Sequence, residues 1–264
     1  MDYKNLKVEE EGTLAVVTLS RPEKKNALST DLIEELFKLA GEFALKSGIT
    51  TIIVTGNDDC FSVGFDITDT KTFEVFSAPL AFRRKMMDFG PKMCSAWENL
   101  DQITIGAIEG FCIGGGVSLA ASLDFRVMAE SSFIRVPELS LGMNMSWATL
   151  PRLVHLVGPA RAKEIVILAE RIPAKDAYDW GFAQRLCPDG DAVNVAKNIA
   201  DKLAKMPPIP VMMTKQTINA LTTAFDKSVS HMDTDQFILS TMTEDFKEGL
   251  AAFLEKREPK FKGE

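Results

Sequence analysis

Short apolar runs and stretches with helical spacing take turns along the first half of the chain. Leu14–Leu19 (LAVVTL) reads as a strand, broken by Arg21-Pro22. Ser29 or Thr30 then caps a helix whose apolar positions Leu32, Ile33, Leu36, Leu39 and Phe43 fall on one face. Thr50–Thr55 (TTIIVT) is a strand that Gly56 ends, and Ile103–Ile108 and Phe125–Met128 (FRVM) are two more. These strands are apolar throughout rather than alternating, the pattern of a sheet covered by helices on both faces. After about Trp147 the character becomes helical: Pro159–Glu170, then Pro173–Trp180 with Gly181 placed to stop it, then Val193–Lys205 up to Met206-Pro207-Pro208. Two more helical stretches follow, the last over Phe246–Arg257, and nothing after residue 187 reads strongly as strand. The pattern predicts an α/β core over residues 1–190 and a helical region over 191–264.

One segment points to chemistry. Gly114-Gly115-Gly116 lies between the apolar run Ile103–Ile113 and Val117–Leu123, and reads as strand, tight turn and helix start. Without a Cβ the backbone can approach a ligand closely. The first N–H groups of a helix lack partners within it and suit an oxygen that must carry negative charge.

Composition narrows the classes. The chain has 264 residues, 46% hydrophobic and 25% charged, as in an ordinary soluble globular protein. A net charge of −7 argues against nucleic acid as a general partner. Cys60, Cys94, Cys112 and Cys187 show no CxxC spacing and are read as reduced thiols in a cytoplasmic protein. The N-terminal MDYKNLKVEEEG has no apolar signal region, and Glu109 with its neighbouring glycines argues against a membrane span over Ile103–Ala121. Neither a metal site nor a Ser-His-Asp triad is expected, because His155 and His231 lie far from any serine motif.

Four segments in order, Arg21-Pro-Glu-Lys-Lys-Asn-Ala-Leu28, Phe61-Ser-Val-Gly-Phe-Asp-Ile67, Gly110-Phe-Cys-Ile-Gly-Gly-Gly-Val-Ser118 and Pro137-Glu-Leu-Ser-Leu-Gly142, resemble the enoyl-CoA hydratase/isomerase (crotonase) family. The ending Thr243–Gly249 and Ala252–Arg257 looks like the same family's C-terminal helix, so the resemblance covers nearly the whole chain. It implies a core of repeated ββα units with a helical C-terminal trimerisation region, forming a homotrimer or dimer of trimers. It implies an acyl-CoA thioester substrate, with coenzyme A part of the substrate and no separate cofactor.

The implied site is specific. Backbone N–H groups of Phe65 and Gly115 would hold the thioester oxygen as an enolate forms, and such a donor is typically worth about 2.7–4 kcal/mol in the transition state. Glu138 would be the acid/base, its pKa raised in an acyl pocket. Ser118 stands where hydratases of the family usually carry a second glutamate; it can orient a water or bond the substrate, or simply pack. This departure favours single-glutamate double-bond isomerisation over two-glutamate hydration. An enoyl-CoA or hydroxycinnamoyl-CoA hydratase/lyase is the alternative, and a non-catalytic acyl-CoA-binding or assembly subunit is the rival of another class. Phe65 resembles the corresponding residue of aryl-CoA dehalogenases, but their aspartate nucleophile would fall at Ser146, which makes dehalogenation a poor fit. For the CoA portion the resemblance implies Lys24, Lys25, Ala27, Phe65, Asp66, Ile67, Thr68, Gly115, Phe253 and Lys256. Met143, Met145 and Trp147 are read as acyl-pocket wall or core.

Overall fold

Two sheets carry the fold in a computed structural model that describes residues 3–57 and 59–264. The strands are β1 (Leu6–Glu11), β2 (Leu14–Leu19), β3 (Thr51–Thr55), β4 (Cys60–Ser62), β5 (Ile103–Ile108), β6 (Phe111–Ile113), β7 (Phe125–Ala129), β8 (Phe133–Arg135), β9 (Ile172–Pro173) and β10 (Arg185–Cys187). The helices of the first half are α1 (Thr30–Phe43), α2 (Thr70–Ser77), α3 (Leu80–Met87), α4 (Phe89–Glu98) and α5 (Gly115–Ala121). Those of the second half are α6 (Thr149–Ile167), α7 (Ala174–Asp179), α8 (Ala192–Leu203), α9 (Pro208–Thr222), α10 (Asp226–Ser230), α11 (Asp233–Ser240) and α12 (Glu244–Glu255).

The larger sheet runs β1-β2-β3-β5-β7-β10 and the smaller β4-β6-β8-β9. Pairing is parallel except for β1 with β2 and β8 with β9. Each pair β3–β4, β5–β6 and β7–β8 therefore gives its first strand to the large sheet and its second to the small one. This is the repeated ββα pattern, and it brings the ends of β4, β6 and β8 side by side.

Buried strands account for the lack of alternation: every residue of β3 and β5 is buried. Ser29 caps α1 through its side chain, which accepts from the Leu32 N–H, and the apolar face read from the sequence is buried. That face meets α4, where Trp97 donates its ring N–H to the Leu36 carbonyl (3.1 Å) and stands edge-on to Phe43. Burying one such side chain contributes about 1.5–3 kcal/mol.

The second half departs from the sequence reading in two places. Helix α6 begins at Thr149, not Pro159, and is kinked at Gly158 (φ 77°, ψ 164°), so the proline starts the second segment of one longer element. Residues 192 and 196 of α8 pack in one cluster with Ile53, Ile105 and Val127, so the boundary drawn at 190 falls within the large sheet's own covering layer. All four cysteines are buried and unpaired. No helix among the described residues is long and apolar enough to cross a membrane.

Candidate active site

The RPEKKNAL segment braces β4 and the turn after it that carries Phe65. Asn26 is buried in a left-handed conformation (φ 52°) and donates to the carbonyls of Cys60 and Phe61, both at 3.2 Å. Leu28 then bridges the chain on both sides of Phe65, donating to the Gly64 carbonyl (2.7 Å) and accepting from the Asp66 N–H (3.1 Å). In a parallel bridge this pattern turns the N–H of the middle residue, Phe65, away from Leu28. Gly64 has φ +88°, and a Cβ there would lie 2.6 Å from the Ile113 carbonyl oxygen and 3.0 Å from the Gly115 nitrogen. The two turns are therefore in contact, and only glycine permits it.

The second turn follows β6. The Gly114 N–H stays in the sheet, bonded to the Arg135 carbonyl (2.8 Å). Gly114 then takes φ 52° and ψ −119°, and α5 starts at Gly115, whose N–H has no intrahelical partner. Neither Phe65 nor Gly115 donates its N–H to any described residue, and both line the same cavity. At the far end of α5 the buried Arg126 donates to the carbonyls of Ala120 (3.2 Å) and Leu123 (2.6 Å), which fixes the short helix.

That cavity has a volume of about 560 Å³, the size of a small-molecule site. Glu138 enters it from a single-turn helix, Glu138–Leu141, after β8. Its Oε1 approaches Gly114 so closely that a Cβ there would lie 2.6 Å away. The residue keeps some accessible surface, but its Oε2 is enclosed and without a hydrogen-bond partner. Burial accordingly pushes the carboxyl up to about 7.

Ser118 sits at the wall with no accessible surface. Its hydroxyl lies 2.7 Å from Thr149 Oγ1, which is also 2.6 Å from the Ser146 carbonyl oxygen. A carbonyl can only accept, so Thr149 donates to Ser146 and Ser118 donates to Thr149. The serine proton is thus committed within the protein.

The segments implied for CoA binding divide. Lys24, Lys25, Ala27, Asp66, Ile67, Thr68 and Phe253 line the cavity together with Phe65 and Gly115. The Asp66 carboxylate is already engaged by Arg21 (3.0 Å) and Thr68 (2.8 Å); burial opposes its ionisation, but these bonds outweigh it and hold its pKa below the usual range. Lys256 caps the end of α12 in a left-handed conformation (φ 55°), exposed and outside the cavity lining of its own chain; the resemblance implies that this position approaches CoA often from a neighbouring subunit. His155 and His231 are exposed and outside the lining, His155 bonding Asp226 at 2.8 Å. Among the described residues no group of three or more His, Cys, Asp or Glu could hold a metal.

Helix α12 packs on the Glu138 turn in the same chain. A Cβ on Gly249 would lie 2.6 Å from the Leu141 carbonyl carbon, and one on Gly142 2.7 Å from the Asp245 carbonyl oxygen. The sequence reading did not pick out Asn26, Gly64, Thr149 or Gly249 as supports. The positive φ values at 26 and 64 follow from their Asn and Gly identities, whereas the Thr149 contact needs the fold.

A family model described as enoyl-CoA hydratase/isomerase matches residues 9–264. The chain belongs to the enoyl-CoA hydratase/isomerase family. A short-chain-enoyl-CoA hydratase of Clostridium acetobutylicum is 32% identical over 97% of both chains. A crotonyl-CoA hydratase of Syntrophomonas wolfei is 31% identical over 99% of both. The crystal structure of an enoyl-CoA hydratase from Mycobacterium avium subsp. paratuberculosis superposes with a TM-score of 0.88 at 22% identity, covering 99% of this chain and all of that one, and so shares the fold. Family membership makes this chain an enoyl-CoA hydratase/isomerase-type enzyme, for which an acyl-CoA thioester is the fitting substrate.

Proposed function

We propose that this protein shifts a carbon–carbon double bond in an enoyl-CoA thioester, using Glu138 as the one proton carrier. The thioester oxygen accepts from the Phe65 and Gly115 N–H groups, so charge that develops as C2 loses a proton has two waiting donors. Glu138 takes that proton from C2 of a 3-enoyl thioester. The electron pair moves through the enolate, and the same carboxyl returns the proton at C4, giving the 2-enoyl product. No water is consumed. The observation that carries this reading is the enclosed, unpartnered Oε2 of Glu138, with Ser118 in place of a second carboxylate and its hydroxyl proton committed to Thr149. A carboxyl poised near 7 suits a group that must both take and give a proton at neutral pH.

Hydration of a 2-enoyl thioester is the second reading, and the names of the curated relatives from Clostridium acetobutylicum and Syntrophomonas wolfei favour it. Lys24 and Lys25 at the cavity mouth suit the phosphates of CoA. The helical C-terminal region supports self-association as a trimer: Ile209, Met213, Leu221, Phe225 and Val229 are all exposed apolar side chains on or beside α9 and α10.

Offering the purified protein 3-hexenoyl-CoA and crotonyl-CoA in parallel separates the readings. Isomerisation faster than hydration supports the single-carboxyl shuttle, and hydration far faster than isomerisation overturns it. Binding of both without turnover or α-proton exchange identifies a non-catalytic acyl-CoA-binding protein.

A further inference from the structure

We propose that the acyl end of the cavity is built for an aromatic ring, with Trp147 as the residue that sets this specificity. The inference rests on the acyl-CoA reading of the site.

Trp147 and Ala148 are consecutive left-handed residues (φ 64° and 52°), although neither is glycine, asparagine or aspartate. Such conformations persist only where surrounding structure imposes them, and here it does. Arg152, 6% exposed, donates to the carbonyls of Trp147 (2.7 Å) and Ala148 (3.2 Å) while forming a two-point ion pair with Glu98 (2.8 and 2.7 Å). From α11, Asp233 accepts the Ala148 N–H at 2.6 Å. Three elements thus hold one strained turn.

The turn delivers an indole packed tightly against its neighbours. Its ring lies so close to Gly90 and Gly115 that a Cβ on either would come within 2.1 and 2.9 Å of it. It meets Phe65 edge-on, with centroids 6.2 Å apart and planes at 83°. Trp147 and Phe65 therefore form a rigid right-angled corner beside the two free N–H groups, in the cavity wall. The lining of the same cavity includes Phe89 and Phe237, with Met87 and Met145 among its sulfur-bearing side chains. A flexible alkyl chain gains burial from such walls, as it would from leucines. A planar ring gains in addition the edge-to-face and sulfur–ring contacts.

The test compares two thioesters of equal carbon number that carry no double bond to shift, 3-phenylpropanoyl-CoA and nonanoyl-CoA, by titration calorimetry against the purified protein. The wild type is expected to bind the aryl thioester roughly 10-fold more tightly, the gain available from one or two aromatic contacts. Trp147→Phe is expected to keep most of that preference. Trp147→Gly, whose glycine relieves the left-handed backbone, is expected to abolish it. Equal or tighter binding of nonanoyl-CoA by the wild type overturns the inference, as does a preference that survives in Trp147→Gly. If neither thioester nor acetyl-CoA binds, the acyl-CoA reading has failed and takes this inference with it. If both bind without preference, only the aromatic assignment is lost.

Discussion

Gly114 and Glu138 share one space: a Cβ on the glycine would lie 2.6 Å from the carboxylate Oε1. The same glycine adopts φ 52° and ψ −119° to launch Gly115 into α5. One residue thus directs a donor N–H and leaves room for the proton carrier beside it. Gly114→Ala is expected to displace the carboxyl and strain the turn, lowering kcat about 100-fold or more and stability by about 1–3 kcal/mol. Steady-state kinetics and urea denaturation measure the two effects; a near-normal kcat would mean that the carboxyl does not act from this position.

Glu138→Gln removes a carboxyl whose pKa is raised by burial from 4.5 to about 7. Between those values an unfolded chain releases a proton that the folded one keeps, so stability falls as pH rises through the interval. Ionised Glu138 therefore costs stability above about pH 7 and none below about pH 4. The glutamine variant is expected to be more stable than wild type by about 3 kcal/mol at pH 8, at about 1.4 kcal/mol per pKa unit, and no more stable at pH 4. Denaturation at the two pH values checks this, and an equal difference at both would contradict it.

The same carboxyl predicts the wild-type rate profile. Proton abstraction needs the ionised form, so kcat/KM should rise with pH and level off above about 7. A limb titrating near the ordinary carboxylate value would show that Glu138 is solvated in the working enzyme.

Ser118→Ala tests whether the hydroxyl takes part in chemistry. Thr149 keeps its bond to the Ser146 carbonyl (2.6 Å) when the serine oxygen is gone, and the expected loss is about 1 kcal/mol of stability with turnover within a few-fold of wild type. A drop in hydration of about 100-fold would instead assign Ser118 to holding the reacting water.

Arg152→Met strands the partly buried Glu98 carboxylate and frees the carbonyls of Trp147 and Ala148. Breaking this partly buried pair, together with the loss of two backbone bonds, is expected to cost about 2–3 kcal/mol, read as a lowered urea midpoint. A loss under about 1 kcal/mol would show that the strained turn does not depend on the clamp.

Local chemistry explains what the sequence made legible. The Ser29 cap, the apolar face of α1 and the unalternating β3 and β5 are written in neighbouring residues. The triple glycine announced a turn because only backbone freedom explains it. Strands β4, β6 and β8 are three residues each, too short to show a period, so the second sheet was not foreseen from pattern alone. Gly158-Pro159 imitates a helix beginning, which hides the true start of α6 at Thr149 from local pattern. The commitment of Ser118 to Thr149 joins residues 31 apart in sequence, and no local pattern encodes it.

Glu138 carries one proton from C2 to C4 above an oxygen held by Phe65 and Gly115 in the proposed reaction. Isomerisation of unlabelled 3-hexenoyl-CoA in D2O, followed by mass and NMR analysis of C4 after a single turnover, measures this directly. A C4 methylene that is CH2 in the wild-type product, its second hydrogen carried from C2, and no product from Glu138→Gln, is the predicted result. One deuterium at C4 (CHD) in every product molecule, with undiminished turnover in Glu138→Gln, would contradict it.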